Sequence, residues 1–185
     1  MRISYVGEYG FELHIPIDSA HGVWNALRNA GEDVGLTLCG LGAMDSLRLE
    51  KGYRLWGGDI HTEYNVYEAG LGWTAKLNKP DFIGRAATAS AKAAPLEKKL
   101  TALAIDDPAA TLLNYESVWN DDEPVSYVTS ANYGYSIGRY IAYTYLPIEL
   151  TEPGTALSVE YIGERYPAEV VTEPLWDPKM ERMRQ

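Results

Sequence analysis

Tyr5 and Glu12 stand on either side of the turn Gly7-Glu8-Tyr9-Gly10, and together they could hold a flat heterocycle. If Glu8 and Tyr9 form a two-residue loop, Gly7 faces Gly10, Val6 faces Phe11 and Tyr5 faces Glu12. Tyr5 and Glu12 are then direct cross-strand neighbours, on the opposite face from Val6, Phe11 and Leu13. An aromatic plane can pack against a ring system, and the carboxylate beside it can accept paired N–H bonds from an amino-pyrimidine edge. By residue type alone, the same pair is also an ordinary Tyr–Glu contact on a solvated sheet face.

Other chemistries find less support. His14, His21 and His61 lack metal-ligand spacing, and His61 with Glu63 is a two-ligand fragment, so no metal site is expected. Neither a GxGxxG fingerprint nor a phosphate-binding loop occurs. The single cysteine, Cys39, cannot form an internal disulfide, which points to a reducing compartment, the cytoplasm. Flanked by Leu38 and Gly40, it reads as a buried, inert thiol. The formal charge of −10 disfavours nucleic acid and anionic membranes as partners, because both reward clustered Lys and Arg. Basic residues gather at Lys92–Lys99 and Lys179–Arg184, and both read as solvated surface. No apolar stretch approaches the roughly 20 residues of a membrane span, and no signal pattern opens the chain.

The elements that would position these groups fall into two textures. Ile3–Tyr5 and Phe11–Ile15 read as a hairpin, the second strand alternating Phe11, Leu13 and Ile15 with Glu12 and His14. Asp18 or Ser19 can cap a helix over Ala20–Ala30, with Ala20, Val23, Trp24, Leu27 and Ala30 on one stripe. A short strand around Leu36–Cys39 leads to a helix over Gly42–Lys51. There Leu41, Met44, Leu47 and Lys51 share a face, and Gly52 supplies the left-handed C-terminal cap. The Ala- and Lys-rich stretch Ala86–Lys99, broken at Pro95, reads as a short helix and a connector. Strands are then expected at Leu100–Ile105, Pro124–Ser130, Ser136–Tyr145, Thr155–Ile162 and Arg165–Thr172, with a tight hairpin at Gly163-Glu164. The expected fold class is α+β. Residues 1–95 form an incomplete antiparallel sheet with packed helices, and residues 96–185 form a small β-barrel.

The run Gly40–Ile60, GLGAMDSLRLEKGYRLWGGDI, resembles the middle of the folate-binding domain shared by the glycine-cleavage T-protein, an aminomethyltransferase, and the dimethylglycine and sarcosine dehydrogenases. The resemblance runs along nearly the whole chain. ISYVGEYGFELHIP is similar to the family's hairpin, and GLGWTAKLNKPDFIGR to the segment leading out of its α/β part. VTSANYGYSIGRYIAYTYLP and EPLWDP are similar to parts of its C-terminal barrel. Within the family, Ala43–Arg48 and Lys51–Trp56 are worded more like the dehydrogenase branch.

The resemblance implies transfer of a one-carbon unit from an amine such as glycine, dimethylglycine or sarcosine to N5 of tetrahydrofolate. It implies Tyr5 and Glu12 as folate contacts, with Arg182 and Arg184 in reach of a folate carboxylate. T-proteins carry a folate-holding arginine at the position of Met44, and the dehydrogenase-like relatives have an apolar residue there. Arg48 matches a position taken as structural, and Asp45, Asp59 and Asp81 match positions that are not catalytic. Family members have a longer segment before the hairpin, which carries the aspartate that handles the amine. The catalytic residue is therefore unknown here, and the sequence reads as a fragment of a longer reading frame or the product of a truncated gene, without that segment or the flavin domain of the dehydrogenases. Expected partners are a small amine or methylated substrate, the upstream domain or N-terminal segment, and a second copy that covers an exposed sheet edge. The alternatives are a non-catalytic folate-binding or scaffold module, or a methyl-transferring demethylase acting on a sulfonium compound. A related group that assists iron–sulfur assembly carries a Lys-Gly-Cys motif where this chain has KPDFIGR, without Cys.

Overall fold

The computed structural model describes residues 1–184. Three helices precede the barrel: α1 (Ile17–Gly31), α2 (Leu41–Glu50) and α3 (Arg85–Ala93). Six strands follow: β1 (Lys98–Ile105), β2 (Ser117–Asn120), β3 (Glu123–Gly134), β4 (Arg139–Pro147), β5 (Ala156–Tyr161) and β6 (Glu164–Val171). They close in the order β1-β4-β3-β2-β5-β6 with every pairing antiparallel. The α+β class with a small C-terminal barrel is thus as expected from the sequence.

Period-two alternation puts Leu103, Ile105, Val118, Val128, Ala142, Leu146, Val159 and Val170 inside the barrel. β1 and β4 are also buried on their outer face, where Leu100, Ala102, Ile141, Tyr143 and Tyr145 pack with Leu49 of α2. That second layer explains why both strands read as nearly continuous apolar runs.

Several sequence expectations are corrected. No strand forms before Lys98 among the described residues, so the predicted strands at Ile3–Tyr5, Phe11–Ile15 and Leu36–Cys39 are absent as ladders. Two short strands without a third are marginal on their own. The N-terminal segment instead closes as a wide loop, in which Glu12 N donates to Met1 O at 2.8 Å and the Met1 ammonium donates to Glu12 O at 2.7 Å. α1 starts from Pro16 with no side-chain cap, so neither Asp18 nor Ser19 takes that role. Cys39 is exposed, because nothing among the described residues covers the Leu36–Gly40 segment. The β5–β6 hairpin turns on Ile162-Gly163, both at positive φ, and pairs Tyr161 with Glu164. β2 was not foreseen.

α2 holds the largest departure. Its buried face is Ser46, Arg48, Leu49 and Glu50, whereas Leu41 and Met44 of the predicted apolar stripe are 79% and 38% exposed. The stripe on α1 fares the same way, with Trp24 at 48% and Leu27 at 47% exposure.

Candidate functional site

The site is built around α2 and the turn after it. Arg48 is 1% exposed and spends its guanidinium on four acceptors. Nε donates to Asp45 Oδ1 at 2.8 Å, Nη1 to Asp59 Oδ2 at 2.6 Å and to Tyr53 O at 3.2 Å, and Nη2 to Ser130 Oγ at 2.8 Å. Asp59 is fully buried and accepts as well from Leu55 N at 2.9 Å and from Thr129 Oγ1 at 2.6 Å. A bulge in β3 between Val128 and Ser130 makes this geometry. The extra residue lets Thr129 and Ser130, neighbours in sequence, both reach the α2 layer, where a regular strand would alternate them. Asp59, expected only to match a position that is not catalytic, is the anion that neutralises Arg48 inside the protein. Asp45 uses its other oxygen to accept from Asn132 Nδ2 at 3.0 Å.

The chain's C-terminal tail straps this layer to the N-terminal loop. Lys51 Nζ donates to Asp177 O at 2.6 Å and to its Oδ2 at 3.0 Å, and Trp176 N donates to Glu50 O at 3.0 Å. Arg54 holds the Glu173 carboxylate through Nη1 at 2.7 Å and Nη2 at 2.5 Å. Burial pushes the Arg54 pKa down, but the Glu173 bond and charge outweigh it and leave the pKa raised. Burial also lifts the Tyr143 phenol well above its ordinary value, reinforced by the Glu173 charge beside it. Below this strap the Lys51 stem runs under Gly7, whose φ is +75° and where a Cβ would fall 2.7 Å from Lys51 Cγ and Cδ. Glycine at position 7 is what lets the N-terminal loop seat there.

Tyr5 is half-buried on this seat. Its ring lies 6.3 Å from Tyr53 at a 17° interplanar angle, and its hydroxyl donates to Arg54 O at 3.1 Å. Burial raises its pKa against the opposing pull of Arg48, so the phenol keeps its proton at neutral pH. Glu12 is exposed, with its carboxylate 3.5 Å from His14 Nε2. It lies on an open cleft of ≈ 420 Å³ lined by Met1, Leu13, His14, Ile15 and Val23. The predicted cross-strand pairing of Tyr5 with Glu12 is not formed. The loop closes at Met1 and Glu12, and Tyr5 is not among the residues lining the Glu12 cleft.

The tail arginines separate. Arg182 Nε sits 2.6 Å from both Glu8 carboxylate oxygens, and its guanidinium lies 5.7 Å from the Trp176 ring. It is thereby tied to the turn that carries Tyr5. Arg184 is exposed and makes no ion pair among the described residues. No cluster of His, Cys, Asp or Glu fit for a metal occurs among the described residues, and no helix is long and apolar enough to cross a membrane. Sequence reasoning missed the Arg54–Glu173 and Lys51–Asp177 pairs. Their only signal was that two basic residues follow α2 while the EPLWDP tail carries two acids.

Comparison with known proteins agrees with the geometry. Residues 1–79 match the GCVT N-terminal domain, and residues 98–177 match the glycine cleavage T-protein C-terminal barrel domain. The mitochondrial dimethylglycine dehydrogenase of Homo sapiens is 40% identical over 176 residues, covering 95% of this chain and 20% of that protein. The aminomethyltransferase of Saccharopolyspora erythraea is 39% identical over 176 residues, covering 95% of this chain and 48% of that protein. Among solved structures, the glycine cleavage system aminomethyltransferase T from Bartonella henselae superposes with a TM-score of 0.87 at 27% identity. The match takes in 96% of this chain and 49% of that one. The chain thus spans about a fifth of the dehydrogenase and about half of the aminomethyltransferases.

Proposed function

The chain belongs to the glycine cleavage T-protein family, and from that premise we propose that it is the tetrahydrofolate-binding portion of an aminomethyltransferase-like protein of one-carbon metabolism. The reaction it serves is transfer of a one-carbon unit from a small amine, such as glycine, dimethylglycine or sarcosine, to tetrahydrofolate. When bound, tetrahydrofolate supplies the N5 amine that receives the unit.

The observation that carries this reading is the placement of Glu12. Glu12 lines an open cleft together with Leu13, Ile15 and Val23, and its carboxylate lies 3.5 Å from His14 Nε2. That donor set fits a pterin. The apolar wall takes the ring, and the carboxylate accepts two N–H bonds from its amino-pyrimidine edge. Arg184, without an ion pair among the described residues, is suited to a folate carboxylate. Arg182 is a positioning residue in this arrangement, because Glu8 already holds it. Tyr5 likewise spends its hydroxyl on Arg54 O and contributes as a ring beside Tyr53.

A second reading, binding without chemistry of the chain's own, is favoured by two carboxylates, Asp45 of α2 and Asp59 of the turn after it. Both oxygens of Asp45 and of Asp59 are committed to structural bonds, which leaves neither free to carry a proton for the amine. On this view the acid/base group comes from further polypeptide. The exposed, unpaired Cys39 supports a reducing compartment such as the cytoplasm.

Equilibrium dialysis tests the proposal, with tetrahydrofolate and, in parallel, p-aminobenzoylglutamate, which lacks the pterin. Saturable binding of tetrahydrofolate alone is the expected result. Equal uptake of both compounds would sink the assignment of Glu12 to the pterin edge.

A further inference from the structure

Tyr115 holds a backbone position that suits glycine, and it points its ring at solvent. Just ahead of β2, Tyr115 N donates to Val128 O at 2.7 Å and Val128 N donates to Glu116 O at 2.8 Å. Two residues thus face one, a β-bulge whose first residue has a φ of 72°. That place is usually given to glycine, because a bulky side chain is strained there. The Tyr115 side chain is 75% exposed, so core packing does not offset the strain.

The ring stands beside Tyr127 of β3, with centroids 6.3 Å apart and planes at 26°. Tyr64 and Tyr145, by contrast, are in direct contact at 3.5 Å and 10°. The wider pair comes close to the roughly 7 Å that a flat group needs between two rings, about 3.5 Å on each side. The row continues inward, where the Tyr64 and Tyr127 hydroxyls lie 3.0 Å apart and Lys98 Nζ sits 4.5 Å from the Tyr64 ring centroid. The chain thus seats a cation of its own on the inner ring, while Tyr115 and Tyr127 carry none among the described residues.

We propose that Tyr115 and Tyr127 form a clamp for an arginine side chain of a partner protein. A guanidinium is flat and cationic, so it can stack on both rings where a compact ammonium cannot. Charge selects such a partner over a second copy, because each copy carries −10 and Glu116 adjoins Tyr115 in sequence. Leu113, two residues ahead of Tyr115 and 54% exposed, offers apolar contact to the residues flanking that arginine. None of these side chains lines the Glu12 cleft, so the clamp stands independently of the folate reading.

The test titrates the full chain, with isotope-labelled tyrosine rings, with a capped pentapeptide that holds arginine between two leucines. Two companion peptides replace the arginine by lysine, which is charged but not flat, or by citrulline, which is flat but neutral. Saturable shifts of the Tyr115 and Tyr127 ring signals are expected with the arginine peptide, and binding about fivefold or more weaker with either companion. Tyr115→Gly should weaken binding of the arginine peptide by a similar factor. Its melting temperature should hold or rise, because glycine relieves the strain at this φ. A lower melting temperature would overturn the proposal by assigning the ring to the fold. So would the absence of saturable binding, equal affinity for the arginine peptide and either companion, or unchanged binding in Tyr115→Gly.

Discussion

Arg48 Nη1 donates to Asp59 Oδ2 at 2.6 Å, and both side chains are withdrawn from water. This pair joins α2, the turn after it and the bulge of β3 in one network, since Arg48 also reaches Ser130 and Asp59 also receives Thr129. A buried ion pair contributes little net stability over an apolar packing of the same volume, but losing one partner strands the other's charge. Arg48→Met is therefore expected to destabilise the chain by about 3–5 kcal/mol in urea unfolding. Adding Asp59→Asn to it should cost far less than the sum of the two single changes, the signature of direct coupling.

Gly7 is expected to resist any side chain. Its φ of +75° and its contact with the Lys51 stem act in the same direction. Gly7→Ala should weaken the seating of the N-terminal loop by ~1–2 kcal/mol. Hydrogen exchange should report the loss locally, as faster exchange at residues 4–9, with the barrel strands unaffected.

The tail should detach in acid. Burial pushes the Asp177 pKa up, but the Lys51 bond and the amides of Glu181 and Arg182 outweigh it and hold the carboxyl below its ordinary value. A carboxyl depressed in the folded state stabilises fully above its unfolded pKa, near pH 4, and loses that contribution as pH falls through the folded value. Trp176 fluorescence should therefore hold steady from neutral pH down to about pH 4 and change below it. In Asp177→Asn the acid-dependent change should vanish.

Cys39 should react with a thiol reagent at one equivalent per native chain, without denaturant. A thiol that reacts only after unfolding would contradict its exposed position.

Much of this architecture was legible in the sequence, and its failures share one cause. The barrel strands at residues 100–105, 155–162 and 165–172 were readable because each carries its own alternating pattern and turn signals, and their partners lie within the chain. β2 was missed because four residues, SVWN, give too short a pattern. The alternation of Phe11, Leu13 and Ile15 and the stripes on α1 and α2 were read correctly as amphipathic. A pattern of that kind states a need for a partner. Residues 11–15 form no ladder, and Trp24 and Leu27 of α1 and Leu41 at the start of α2 stay exposed, while the opposite face of α2 packs on the barrel. Arg48 and Asp59 stayed hidden for another reason. Charged residues eleven apart carry no local mark of burial, and only the bulge at Thr129 brings their partners into line. The Tyr5–Glu12 register failed with the ladder on which it depended.

Glu12 remains the residue on which the functional account turns. Calorimetric titration with tetrahydrofolate, run on the wild-type chain and on Glu12→Gln, tests it most directly. The account predicts saturable binding to the wild type and a loss of affinity of about ten- to hundredfold in the variant, the worth of hydrogen bonds to a charged group. Because Glu12 is exposed, thermal unfolding should be unchanged. Equal affinity in the two chains would contradict the account and move the pterin away from Glu12.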